Sequence, residues 1–123
     1  MPKQVYASPG KTLFASATDE KSADGSHHHY AFTNVPAPGA PEIPLSSIKF
    51  QNGRPEDVGV NGVSDVMVLA AVVDHLQGFQ RGPFACNENT QAIAALENAI
   101  AWIRLRPNLS GRVQGTAKGA TPE

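Results

Sequence analysis

A single cysteine, Cys86, in 123 residues excludes an internal disulfide framework and argues against a small secreted scaffold. Charge is scarce too. Charged residues make up 17% of the chain and the formal net charge is −1, so there is no basic field of the kind that captures long nucleic acid. A small anionic ligand needs no such field, because a local arginine pocket suffices. The longest apolar run, Val66 to Val73, is far too short to span a bilayer. Residues Met1 to Tyr6 lack the apolar core of a signal peptide, and the expected setting is cytoplasmic. Phosphate and dinucleotide motifs are missing as well: residues 51–62 carry no Gly-Lys-Ser/Thr ending, and no dinucleotide fingerprint follows a strand. The carboxylates show no spacing that compels an acid/base pair. Nothing here asks for catalysis, and no cofactor is expected.

What is present divides by hydrophobic period. Residues 1–10 read as a loose lead-in with Pro2, Pro9 and Gly10. Lys11 to Thr18 alternates weakly and predicts a strand, His27 to Asn34 is rich in β-formers and predicts a second, and Leu45 to Gln51 is a plausible third. Between them, residues 35–44 hold four prolines and form an extended loop. Residues 52–62, with Asn52-Gly53 and Asn61-Gly62, predict a long loop of functional appearance. The period then changes from two to 3.6. Leu69, Val72, Val73, Leu76 and Phe79 stripe a helix capped by Ser64, and Ile93, Leu96, Ile100 and Ile103 stripe a second helix that begins at Asn87 as its cap and is ended by Pro107. Strands first and helices last predict an α+β fold, an N-terminal antiparallel β-sheet followed by a C-terminal two-helix hairpin. We expect a single domain over 1–123, with the sheet over about 11–51, the hairpin over 63–106 and an irregular tail over 107–123. So much loop leaves little core, and both stripes are better covered in an oligomer.

Several residues could carry chemistry. His27 and His29 would share a strand face and could begin a metal site, but the chain supplies no cysteine pair and no spaced third ligand. A polar junction is the better reading, and no metal is expected. Cys86, before a helix start, reads as a small apolar residue rather than a nucleophile. Asp74 and His75 are adjacent on a helix and point apart, so they form no dyad. The stretch Phe79 to Asn89 joins the two helices and concentrates aromatics and amides at one tip. Phe79 and Phe84 can present ring faces to a base, a contact that contributes about 1–3 kcal/mol per base. Asn87 and Asn89 can match the edge of an adenine, and Arg104, Arg106 and Arg112 can clamp phosphate. Against this, Phe79 continues the core stripe, Phe84 can plug the hairpin and Asn87 can be only a cap. On the residues alone the structural reading stands ahead. Arg106 would also lie about 25 Å from Asn89 along the second helix, at about 1.5 Å rise per residue. The two would share one ligand only across a subunit interface or through a chain that curves back.

The order of motifs resembles a known family. It runs Phe50-Gln51-Asn52-Gly53, then Gly59-Val60-Asn61-Gly62-Val63, Phe79-Gln80, Gly82-Pro83-Phe84-Ala85-Cys86, Glu88-Asn89, Leu96-Glu97, Ala99, Trp102-Ile103, Arg106 and Arg112-Val113-Gln114-Gly115-Thr116. This is similar to the phage Thoeris anti-defence sponges, which share a helical-hairpin domain with anti-CBASS sponges. The match covers roughly residues 48–116. The chain departs from the family pattern at Asn87, at Glu97-Asn98 and at Pro107. The resemblance implies a non-catalytic protein, assembled as a homodimer or larger homo-oligomer in the infected bacterial cytoplasm. It would sequester a cyclic ADP-ribose isomer, and cyclic di- or trinucleotides in some members, and so block host defence. It places ligand positions on Phe79, which would stack on adenine, on Asn89, which would hydrogen-bond base or ribose, and on Arg54 and Arg106, which would neutralise phosphates. Arg112 joins them as a further phosphate clamp. The alternative is an oligomeric phage or prophage accessory module that uses the same hairpin for packing and binds no nucleotide.

Overall fold

The computed structural model describes residues 2–107. The expected tail beyond residue 107, with Arg112 in it, lies outside the described residues. The elements follow in the order β1 (Lys3–Ala7), β2 (Leu13–Ala17), β3 (His29–Asn34), β4 (Ile43–Lys49), α1 (Pro55–Val58), α2 (Asp65–Gln80) and α3 (Asn87–Arg104). The strands form one antiparallel sheet in sequence order, a meander, and the helical hairpin follows it, so the fold is α+β. The chain divides between Val63 and Ser64 into two compact units.

In the sheet unit, β1 pairs with β2 through a short turn in which the Ser8 hydroxyl accepts from the Thr12 and Leu13 amides at 3.2 and 3.1 Å. This strand corrects the expectation of a loose lead-in. Its residues do not alternate because Lys3 to Tyr6 are all exposed at the sheet edge. Pro2 and Pro9 bracket the strand instead of interrupting it, and a bulge between Gln4 and Tyr6 bends it. On one face, Ala15 and Ala17 of β2 oppose Phe32 and Tyr30 of β3, and both alanines are buried. Small residues there leave room for rings, and Tyr30 meets Phe50 edge to face at 5.7 Å.

The β2–β3 connection is tied by one carboxylate. Asp19 accepts from the His28 and His29 amides at 2.9 and 3.1 Å, and the His27 ring pairs with the Asp19 carbonyl at 2.7 Å. Burial pushes the Asp19 carboxyl up, but the His28 and His29 amides, Asp19's own amide and the nearby His29 charge together outweigh it and hold the group below the usual carboxylate range. The Ser22 hydroxyl and the Ser26 amide do the same for Asp24. His28 is buried, with Nε2 3.2 Å from Asp24. The three histidines therefore form the junction between this connection and β3, which begins at His29. Among the described residues, no group of three or more His, Cys, Asp or Glu side chains could hold a metal.

In the hairpin unit, α2 starts where the Ser64 hydroxyl accepts from the Met67 amide at 3.2 Å. The cap of α3 is Cys86, not Asn87, which is the first helical residue. The reason lies in the tip described below. Asn87 instead accepts from Gln91 at 3.4 Å. Helix α3 ends at Arg104, short of Pro107, because the residue before a proline is driven out of helical geometry. Val73 is the buried apolar residue of α2, whereas Val72 and Trp102 stay exposed. No described helix is long and apolar enough to cross a membrane.

Candidate functional site

The hairpin tip is built by one amide side chain. Gln80, the last residue of α2, donates from Nε2 to the Cys86 carbonyl at 3.0 Å and to the Thr90 hydroxyl at 2.8 Å. Its Oε1 accepts from the Cys86 amide at 3.0 Å. Gln80 thus satisfies both backbone groups of Cys86, which takes the cap position without a capping side chain of its own. Cys86 is exposed, which corrects its reading as a small core residue: the cap position puts it at the turn, outside the packed face.

This latch holds the aromatic cluster. His75 packs edge-on against Phe79 with centroids 4.8 Å apart, and Phe79 meets Phe84 at 6.4 Å and 88°. Phe79 is 39% exposed and Phe84 72% exposed, so neither ring is consumed by the core. Asn89 donates from Nδ2 to the Phe84 carbonyl at 3.4 Å. Of the expected ligand positions, Phe79 and Asn89 are therefore brought together at the tip through Phe84.

Arg106 is at the other end of the hairpin. Its Nη1 donates to Asp65 Oδ2 at 3.2 Å, which ties the chain after α3 to the first residue of α2. Between the helices runs an open groove of about 340 Å³ lined by Val73, Asp74, Gln77, Glu97, Ile100 and Arg104 among others. It includes none of the expected ligand positions, and its two carboxylates against one guanidinium disfavour an anion.

Arg54 belongs to the sheet unit, in the loop after β4. Gln51 donates to the Gly53 and Gly59 carbonyls at 3.0 and 2.9 Å and accepts from the Asn61 amide at 2.8 Å. Asn61 answers with two bonds of 2.8 Å to the backbone of Asn52. A parallel bridge between Phe50 and Val63 closes the loop. Gly62 sits so close to the Lys49 and Phe50 carbonyls that a Cβ there would come within 2.5–2.6 Å of their backbone atoms. The loop is thus a fixed frame, and it contains the short helix α1 that sequence reading missed. Arg54 precedes α1 and lies near Glu56 at 3.5 Å and Asp57 at 3.9 Å, while its Nε is buried without a hydrogen-bond partner.

Gln51, Asn61, Gln80 and Asp65 were not expected at the site. The three amides had a faint signal: each stands beside a turn whose backbone groups need partners. Asp65 opens α2, and nothing local marks it as the partner of Arg106.

Comparison with known proteins agrees with this architecture. The family model of the Acb2/Tad1 hairpin domain matches residues 44–106. A stretch of 62 residues is 40% identical to Thoeris anti-defense 1 of Bacillus phage SBSphiJ7, covering 50% of this chain and 44% of that protein. The match thus spans less than half the length of the phage relative.

Proposed function

The chain belongs to the Acb2/Tad1 hairpin-domain family, and from that membership we propose that it binds a cyclic nucleotide immune signal and holds it without turnover, keeping host anti-phage defence off. The observation that carries this reading is the tip: two partly exposed phenylalanines at right angles, with the Asn89 carboxamide fixed beside them. An exposed ring face takes a base by stacking, and the carboxamide oxygen can accept from the amino group of adenine. Arg54, Arg106 and Arg112 would supply the positive charge for the phosphates of a cyclic ADP-ribose isomer, or of a cyclic di- or trinucleotide. The relative from the Bacillus phage carries an anti-defence name, which favours this role in the cytoplasm of an infected cell.

A homo-oligomer fits the same reading. Val72, Phe79 and Trp102 leave apolar surface exposed on the hairpin, and residues at its two ends can serve one ligand if a neighbouring copy contributes one of them.

The test is calorimetry against a panel of cyclic ADP-ribose isomers and cyclic oligonucleotides, followed by heating and chromatography of the released ligand. Reversible binding with the ligand recovered intact is expected. Arg106→Ala and Asn89→Ala should each weaken binding at least tenfold with an unchanged circular dichroism spectrum. Absence of binding to the whole panel overturns the reading, and steady loss of ligand would point to an enzyme. An oligomeric accessory module is the second reading. The exposed Trp102 favours it, and such a module would bury Phe79 against a neighbouring copy and leave no ring face for a base.

A further inference from the structure

Arg106 comes to the proposed site already paired. The contact of its Nη1 with Asp65 Oδ2 at 3.2 Å joins residues 41 positions apart, and the two side chains keep 42% and 47% of their surface. We propose that Asp65 is an internal competitor for Arg106: its carboxylate occupies the guanidinium where a phosphate of the ligand would bind, and it gives way when the ligand arrives. The inference rests on the reading of Arg106 as a phosphate-binding group.

The chemistry favours exchange. An ion pair this exposed is weak, whereas a phosphate offers the fork of the guanidinium a bidentate acceptor. The displaced carboxylate cannot leave, because it is fixed to the first residue of α2. It stays beside the bound phosphate and repels it. Competition before binding and repulsion after it act in the same direction, so Asp65 lowers the affinity for an anionic ligand. Removing its charge then tightens binding, an outcome opposite to the loss expected from a residue that merely supports the fold.

The experiment is calorimetry with whichever cyclic ADP-ribose isomer or cyclic oligonucleotide the unsubstituted protein binds best. Asp65→Asn and Asp65→Ser are each expected to bind about two- to fivefold more tightly, the factor that corresponds to an exposed ion pair. Asp65→Glu keeps the charge and should match the unsubstituted protein. In an Arg106→Ala background the gain should shrink to the part due to direct repulsion, because competition acts only through its target. Unchanged or weaker binding in the folded neutral variants overturns the inference, as does a gain that is undiminished without Arg106. If the unsubstituted protein binds neither a cyclic ADP-ribose isomer nor a cyclic oligonucleotide, the reading of function falls and takes this inference with it. Binding without the gain removes the inference alone.

Discussion

Three side-chain amides hold two of the places where this chain turns. Gln51 and Asn61 frame the loop that carries Arg54, and Gln80 closes the hairpin. A flexible backbone at these turns would otherwise spread its polar groups over many conformations. Gln80→Ala removes three hydrogen bonds and is expected to cost about 1–2 kcal/mol of stability in the hairpin unit. Urea unfolding followed by fluorescence of Trp102, the only tryptophan, reads that unit directly. The Asp19 carboxylate gives a second residue-scale prediction. Its folded value is lowered, so the unfolded chain takes up the proton first as pH falls. Its contribution is therefore complete above the ordinary unfolded value of about 4 and is lost as pH drops through the lowered folded value. Protection of the His28 and His29 amides, relative to the intrinsic exchange rate at each pH, should fall on acidification below that range, and Asp19→Asn should abolish the pH dependence of that protection.

At the scale of elements, the tightest constraint is at Gly62. A methyl group there meets carbonyls of Lys49 and Phe50, which are backbone atoms and cannot rotate away. Gly62→Ala is expected to cost about 2 kcal/mol or more and to open the bridge between Phe50 and Val63. Faster exchange of the Gln51 and Val63 amides, which bond across that bridge, would report it. The same elements show what was legible beforehand. The helices α2 and α3 could be placed from apolar spacing, because each packs one face on the other, and Ser64 marked its helix start by a side chain that caps locally. Strand β1 left no such trace, since an edge strand exposed on both sides has no face to pattern. The cap of α3 was misplaced by one residue because its partner, Gln80, lies six positions away on the preceding helix. Phe79 and Asn89 could be named as a pair at one tip, but the pairing of Arg106 with Asp65 spans the whole hairpin and is invisible to local reading.

For the whole molecule, the described residues bury few large side chains, and the apolar core named by burial is Ala15, Ala17 and Val73. So small a core leaves stability close to the entropy it must offset, and polar clasps matter more here than in a larger domain. One of them also bears on time. The Gln80 latch fixes the turn that carries Phe84 and Asn89. A tip held in one shape by its own hydrogen bonds imposes no waiting step on an arriving molecule. Stopped-flow mixing with a bound isomer should give an observed rate that rises linearly with concentration and reaches no plateau. Gln80→Ala should introduce the plateau. How long a captured signal stays silent would then be decided by its departure alone, and the hairpin would act less as a door than as a clock.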